Sequence, residues 1–541
     1  MNEELNGKPN IPAGKPSQSA APKPELKGYF NRRDILKGLA TLPVLGVFFY
    51  KVGRKKAMDD YRKREILAEL GLEKKAPAVL PKTTMKKAGE TIRVGIIGFG
   101  GRGENVARAA GFAHPDWIEQ QKQATTDNGQ NTALKDFLAQ EDLNIVLTGI
   151  CDVFDIRAER SIDASKNDIR PGGGSRKLEG AERFRTYQEL LESPNVDAVI
   201  IATPEHQHAQ MVIDAVNAGK HVYCEKPMTK TFEEISQVAE AVRKSGKVYQ
   251  LGHQNRQVES HIKAREMIEK NILGNISLIE TTTNRNSPIG AWVMSIHKDA
   301  SPENIDWKQF LFNAPRRPFS LERFFRWRCW YDYGNGLAGD LLSHEYDAVN
   351  QIMRFGIPKT AVASGGIYYY KDGREVPDVF QVTFEYPERD LTLVYSATLA
   401  SNRDRGMVFM GHDASMEVGG GITVMPDLES TRYQKKIESK IIDPSLPLFS
   451  YSPGAEGFDA ITTATEKYFA SRGLMYTYRE GKRVDATHLH IKDWLDCIRN
   501  GGVPSCNIDL AIEEGVTCQM ATISYLTGRK VEWNPENWTI A

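Results

Sequence analysis

Ile92-Arg93-Val94-Gly95-Ile96-Ile97-Gly98-Phe99-Gly100-Gly101-Arg102-Gly103 is the stretch that decides the fold of this chain. Ile92, Val94, Ile96 and Ile97 form an apolar run suited to a strand buried on both faces. The run enters a GxGxxG turn, and Asn105–Ala110 continues as helix. Gly98 permits the tight turn, Gly100 lets a pyrophosphate approach the backbone, and Gly103 permits close helix packing, while the free N–H groups at the helix start attract an anion. A strand before and a helix after turn a common glycine pattern into a dinucleotide site. Gly98, Phe99, Gly100, Gly101, Arg102 and Gly103 are therefore expected at the cofactor.

Working outward, Ile145–Asp152 reads as the next strand, and the polar segment Phe112–Asn144 as an insertion before it. Asp152 ends that strand. An acid at this point accepts hydrogen bonds from the adenosine ribose and repels a 2′-phosphate, which favours NAD over NADP. Its distance from Gly98 exceeds the roughly 20 residues usual for the motif, so the assignment depends on the insertion; the alternative is a surface acid at a strand end. Arg157 nearby pulls toward NADP. Strand–helix alternation continues through Val196–Ala202, Met211–Ala218, His221–Cys224, a capping box at Thr231–Glu234, and Val248–Gly252. The result is an α/β class chain with a parallel, doubly wound sheet. Its strand C-termini gather Gly98–Gly103, Asp152, Thr203-Pro204, Glu225-Lys226-Pro227 and Gly252–Arg256. Further on, alternation in Ala361–Tyr370, Val379–Tyr386, Leu391–Ala400, Met407–Met410 and Met416–Val418 predicts a mainly antiparallel sheet. Pro444–Lys482 is an aromatic and Gly-containing excursion without a clear pattern.

Ala202-Thr203-Pro204-Glu205-His206-Gln207-His208-Ala209 and Ala218-Gly219-Lys220-His221-Val222-Tyr223-Cys224-Glu225-Lys226-Pro227 resemble the glucose-fructose oxidoreductase and inositol dehydrogenase family, the Gfo/Idh/MocA group. Trp307–Pro318, Arg326–Asp347 and Thr527–Trp533 extend the resemblance over nearly everything after residue 90. It implies an N-terminal Rossmann NAD-binding domain, 91–253, and a C-terminal α+β domain, 254–541, whose open sheet shields the nicotinamide and whose outer face makes oligomers. It also implies cofactor contacts at Thr203, Pro204, His208, Glu225 and Lys226. In this reading Lys226 touches cofactor and substrate, and a cation there stabilises alkoxide character as hydride leaves. The family's D-x-x-x-H pair falls on Asp340 and His344, with the histidine as proton acceptor. A neutral imidazole is a suitable base for an alcohol proton, and a carboxylate at i, i+4 would polarise or orient it. Some branches of the family use other residues here.

Composition narrows the remaining choices. Lys+Arg and Asp+Glu both count 70, so no charge excess favours nucleic acid. The six cysteines lack CxxC spacing and read as core thiols; Cys497 with Cys506 is the one pair worth checking for a bridge. His206 and His208 form HxH without further ligands at matching spacing, so no metal is expected. Residues 1–30 are Pro-, Lys- and Ser-rich without periodicity and read as disordered. Asn31-Arg32-Arg33-Asp34-Ile35-Leu36-Lys37 before the apolar Leu39–Tyr50 resembles a twin-arginine signal, which implies the twin-arginine export machinery as partner and a periplasmic address for the mature protein. The other reading is a chance Arg-Arg before a short core helix. No small-x-small cleavage site follows, so 38–52 is either a signal within 31–52 or an inner-membrane tether. Pro43 and a core shorter than roughly 20 residues weaken a spanning helix. Residues 53–90 read as linker.

Gln254, Asn255 and Arg256 are expected to line the cleft. The run Arg326–Tyr333 is aromatic and basic; Arg326, Trp330 and Tyr331 suit a carbohydrate substrate, whose C–H faces pack on rings. Packing between domains is the equal alternative for these rings. The leading expectation is an exported NAD-dependent sugar oxidoreductase with a tightly held cofactor recycled in place, because no soluble nicotinamide pool serves an exported enzyme. Two others stand beside it: an NAD-dependent glycoside hydrolase using transient oxidation and elimination, and a non-catalytic sugar-binding protein.

Overall fold

A computed structural model describes residues 89–541 except 130, 168, 170, 172–178, 289, 404, 453–475, 480 and 481. The expectations for 1–30, for the signal-like 31–52 and for nearly all of the 53–90 linker lie outside the described residues, as does much of Pro444–Lys482. The described residues fall within one unit, Arg62–Ala541.

Six strands form the first sheet: β1 (Ile92–Ile97), β2 (Ile145–Cys151), β3 (Glu182–Arg183), β4 (Ala198–Ile201), β5 (His221–Cys224) and β6 (Tyr249–Leu251). All pairs are parallel, in the order β3-β2-β1-β4-β5-β6. Val94, Ile96, Val199 and Ile200 are fully buried, as side chains covered by helices on both faces must be. The order reverses between β1 and β4, which opens a crevice at their C-terminal ends. The segment Phe112–Asn144 is an insertion between two neighbouring strands, and it is helical. Pro115–Asp127 and Ala133–Leu138 pack through Trp117 edge-on to Phe137, ring centroids 5.6 Å apart.

The second sheet has ten strands: β7 (Ile276–Asn284), β8 (Thr360–Gly366), β9 (Val379–Tyr386), β10 (Leu391–Thr398), β11 (Met407–Gly411), β12 (Ala414–Val418), β13 (Ile422–Pro426), β14 (Phe449–Tyr451), β17 (Val531–Asn534) and β18 (Thr539–Ile540). A separate hairpin pairs β15 (Tyr476–Arg479) with β16 (Lys482–Asp485). The sheet is antiparallel except where β7 runs parallel to β10. β7 sits in its middle although sequence alternation did not single it out. Its burial is irregular at the start and continuous over Thr281–Asn284, so no period-2 signal marks it.

The two halves are not separate along the chain. Helix Ala486–Asn500 returns to the first sheet and buries Ile491, Trp494 and Leu495 against β1, β4 and β5 residues. His488 Nδ1 contacts Ala109 O at 2.8 Å, and Leu251 N donates to Cys506 O at 3.0 Å. The 254–541 half therefore contains a helix that covers the Rossmann sheet. Cys497 and Cys506 are free thiols rather than a bridge. Among the described residues no helix is long and apolar enough to cross a membrane.

Candidate active site

The crevice at the switch point is a cavity of about 1440 Å³ that runs from the glycine turn into the second half of the chain. Gly98 has φ of +87°, and a Cβ there would lie 2.8 Å from Ala202 O, so only glycine turns the chain this close to β4. A Cβ on Gly103 would collide with Gly98 O, which makes that glycine a packing requirement of the turn. Gly98, Gly100, Gly101 and Arg102 line the cavity; Phe99 is buried beneath it and contributes only its backbone N–H, 2.6 Å from Asp152 Oδ2. Asp152 also accepts from Phe154 N at 2.8 Å. Burial raises its carboxyl pKa, against the pull of Arg157 and these two donors. The Asp152 carboxylate lines the cavity together with Arg157, whose guanidinium lies 5.1 and 5.2 Å from the Phe324 and Phe325 ring centroids. His114 and Asp116, from the insertion, line it as well. Turn, strand-end acid and elongated cavity all fit a dinucleotide.

Arg102 ties the glycine turn to the next loop. Its Nε donates to Glu225 Oε1 at 2.7 Å and its Nη2 to Gln254 Oε1 at 3.1 Å. Glu225, Lys226, Thr203 and Pro204 line the cavity. His208 does not: its ring nitrogens lie 2.8 Å from Pro227 O and 3.0 Å from Thr203 O, so it fixes the two loops from behind. His206 likewise contacts Phe310 O at 2.9 Å, which uses the HxH pair on backbone carbonyls.

Lys226 Nζ donates to the backbone carbonyl of Asp340 and, at 3.1 Å, to its Oδ1. Asp340 sits in a π-helical turn, Ala338–Leu342, that runs directly into helix Ser343–Met353. Its carboxylate also accepts from Arg328 Nε and Trp292 Nε1, both at 3.0 Å. Burial alone would raise the Asp340 pKa; Lys226, Arg328 and Arg285 overcome it and hold the carboxyl well below the usual range. Trp292 is held in the left-handed region, φ +65°, a conformation costly for a bulky residue. His344 lines the cavity with Nδ1 buried and unpartnered. Burial, then Lys226 and His253, push its pKa far down, so the imidazole is neutral near pH 7. Asp340 makes no hydrogen bond to His344 among the described residues; it anchors Lys226 rather than orienting the histidine.

Two other expectations change. Gln254 and Asn255 line the cavity, but Arg256 is buried away from it in an ion pair with Asp347 at 2.6 Å. In the aromatic run, Trp327 and Arg328 face the cavity instead of Arg326, Trp330 and Tyr331. Arg326 bonds Met294 O and Glu322, Trp330 packs under Arg323, and Tyr331 is bound through its N–H to Glu375, so this run serves domain packing as well as the site. Arg285, Trp292 and Glu345, which no motif marked, also line it.

Residues 92–253 match the oxidoreductase family Gfo/Idh/MocA, NAD-binding Rossmann fold. That stretch is similar to the family's NAD-binding domain. The chain is 28% identical over 267 residues to the uncharacterized oxidoreductase YrbE of Bacillus subtilis and 26% identical over 218 residues to levoglucosan dehydrogenase of Pseudarthrobacter phenanthrenivorans. These matches cover 49% and 38% of this chain, and 64% and 48% of the relatives' own lengths. A solved levoglucosan dehydrogenase, in complex with NADH and levoglucosan, superposes with TM-score 0.52 at 18% identity, over 82% of this chain and 99% of that one. An oxidoreductase domain protein from Kribbella flavida does so with TM-score 0.53 at 17% identity, over the same shares. The likeness of fold to these structures therefore extends beyond the first sheet into the second half of the chain.

Proposed function

We propose that this protein is an exported NAD-dependent oxidoreductase that acts on a carbinol or keto group of a sugar and holds its cofactor between turnovers. The observation that carries the reading is the Lys226–Asp340 pair, 3.1 Å apart, in one cavity with His344 and the glycine turn. The kinship with levoglucosan dehydrogenase supports a sugar substrate. Export rests on Arg32-Arg33 and the apolar run behind them.

Bound NAD supplies a hydride acceptor, or in the reverse direction reduced nicotinamide supplies the hydride. The chain's residues manage the proton and the charge. Lys226 gives two of its three N–H donors to Asp340, which leaves one for the substrate oxygen. That donor stabilises negative charge developing on the oxygen as the carbinol C–H bond breaks. Neutral His344 takes the hydroxyl proton, and the C–O bond becomes a carbonyl. Asp340, fixed by Arg328 and Trp292, keeps the ammonium aimed while the substrate comes and goes.

Native mass spectrometry of the purified protein is expected to show bound NAD(H). Adding substrate sugar should then change absorbance at the reduced-nicotinamide band. Lys226→Met should retain the cofactor and lower turnover by about 100- to 1000-fold, as loss of one charge-stabilising donor does. Unaltered turnover in that variant rejects the mechanism, and release of aglycone from aryl glycosides without net redox change turns the reading to hydrolysis.

A further inference from the structure

Among the side chains that line the reacting end of the cavity, cations outnumber carboxylates, and the Glu205 carboxyl lies behind them. Lys226, Arg285 and Arg328 line it against Asp340 and Glu345, while His344 is neutral and Arg102 pairs with Glu225. Asp340 already takes Lys226, Arg328 and Trp292. Glu345 is turned to the sheet, where it accepts from Thr281 at 2.7 Å and Thr283 at 3.2 Å. Arg285 acts on Asp340 only through its charge. It follows β7 at the cavity wall, its Nε is buried without a hydrogen-bond partner, and among the described residues it forms no ion pair. An arginine at a ligand cavity whose guanidinium the protein leaves unpaired offers its fork to a planar or multidentate anion.

We propose that the substrate is an anionic sugar, a hexuronate or a sugar phosphate, whose charged group Arg285 receives. This rests on the sugar oxidoreductase reading and narrows its substrate class. The carbon skeleton packs beside Trp292 and Trp327, which line the same cavity, while the reacting hydroxyl lies at Lys226 and His344. Arg285 is thus a specificity residue and takes no part in proton or hydride transfer.

The test is binding, read through tryptophan fluorescence or calorimetry on the cofactor-loaded protein, with D-glucuronate, D-galacturonate and D-mannuronate, the corresponding hexose 6-phosphates, and their parent hexoses. At least one anionic sugar should bind tenfold or more tightly than its parent hexose, and the uronate and phosphate arms tell the two sources apart. Arg285→Gln should remove most of that difference, and Arg285→Lys should restore part of it, with NAD content serving as the check on folding. Equal affinity within every pair overturns the proposal, whether or not the variants fold; so does an anion preference that survives in Arg285→Gln. Binding needs no turnover. An anion preference without hydride transfer therefore rejects the redox reading alone, and hydride transfer from neutral sugars with no anion preference rejects this inference alone.

Discussion

At the scale of single residues, the chemistry turns on which groups are charged. His344 is kept neutral by burial, by Lys226 and by His253, all of which disfavour an imidazolium. The sign of the consequence is fixed. A histidine acting as base loses function as pH falls through its own pKa, and here that pKa is depressed, so the acid limb of kcat/KM is expected below pH 6.5, the ordinary histidine value. A pH–rate profile measures it. An acid limb above pH 7 assigns the base to another group. Lys226 and Asp340 act together in setting that state: the carboxylate holds the ammonium, and the ammonium in turn holds the histidine deprotonated.

At the scale of elements, the loop Tyr333–Leu342 that presents Asp340 is built around a carboxyl outside the reaction. Glu205, the first residue of helix Glu205–Asn217, is buried and accepts from Asn335 N at 2.8 Å. Gly339 and Gly334 make room for it: a Cβ on either would approach its carboxyl oxygens to 2.7 and 3.1 Å. Burial, then the nearby Asp340 charge, raise the Glu205 pKa to about 7. A raised folded-state pKa gives stability that is present below the unfolded value and lost as pH rises through the folded one. The cost of this group to the folded state therefore builds between about pH 4.5 and 7 and reaches about 3 kcal/mol above that window. Glu205→Gln, which keeps the shape and removes the charge, is expected to be more stable than the parent at pH 8 and to match it near pH 5. Denaturant unfolding at the two pH values checks this; equal midpoints at pH 8 show that the carboxyl titrates normally.

At the scale of the molecule, the Rossmann half and the sheet half hold each other. Helix Ala486–Asn500 comes from late in the chain yet covers the first sheet, with Trp494 fully buried and edge-on to Tyr223 at 5.9 Å. On the other side, Phe154 bridges Ile305, and Asp155 N donates to Asn304 O at 2.9 Å, which fastens the loop after Asp152 to the second half. Trp494→Ala is expected to cost about 3–5 kcal/mol, the usual range for a buried tryptophan. Because the helix serves both halves, the loss should appear as one cooperative transition at lower temperature. Calorimetry that resolves two transitions, with only one displaced, shows the halves to be independent.

Much of this was legible in the sequence because it depends on short stretches. The turn Gly98–Gly103 is local geometry, and Asp152 follows from a strand end once Phe112–Asn144 is set aside. Lys226, Asp340 and His344 were found through the motif strings around them. The misses have a common cause. Arg285 and Trp292 come from irregular segments and Trp327 and Arg328 from one short 3-10 turn, whose side-chain directions follow from packing and not from a 2- or 3.6-residue period. For the same reason Arg256, Trp330 and Tyr331 face the core, and Glu205 lies beneath a loop 130 residues away. The sequence by itself determined the dinucleotide turn, the parallel order of the first half and the residues able to move a proton. Only tertiary structure decided which cations share Asp340, which arginine is left unfilled and which late helix closes the first sheet. These are contacts between distant parts of the chain, where burial and charge are set by neighbours that no local pattern encodes.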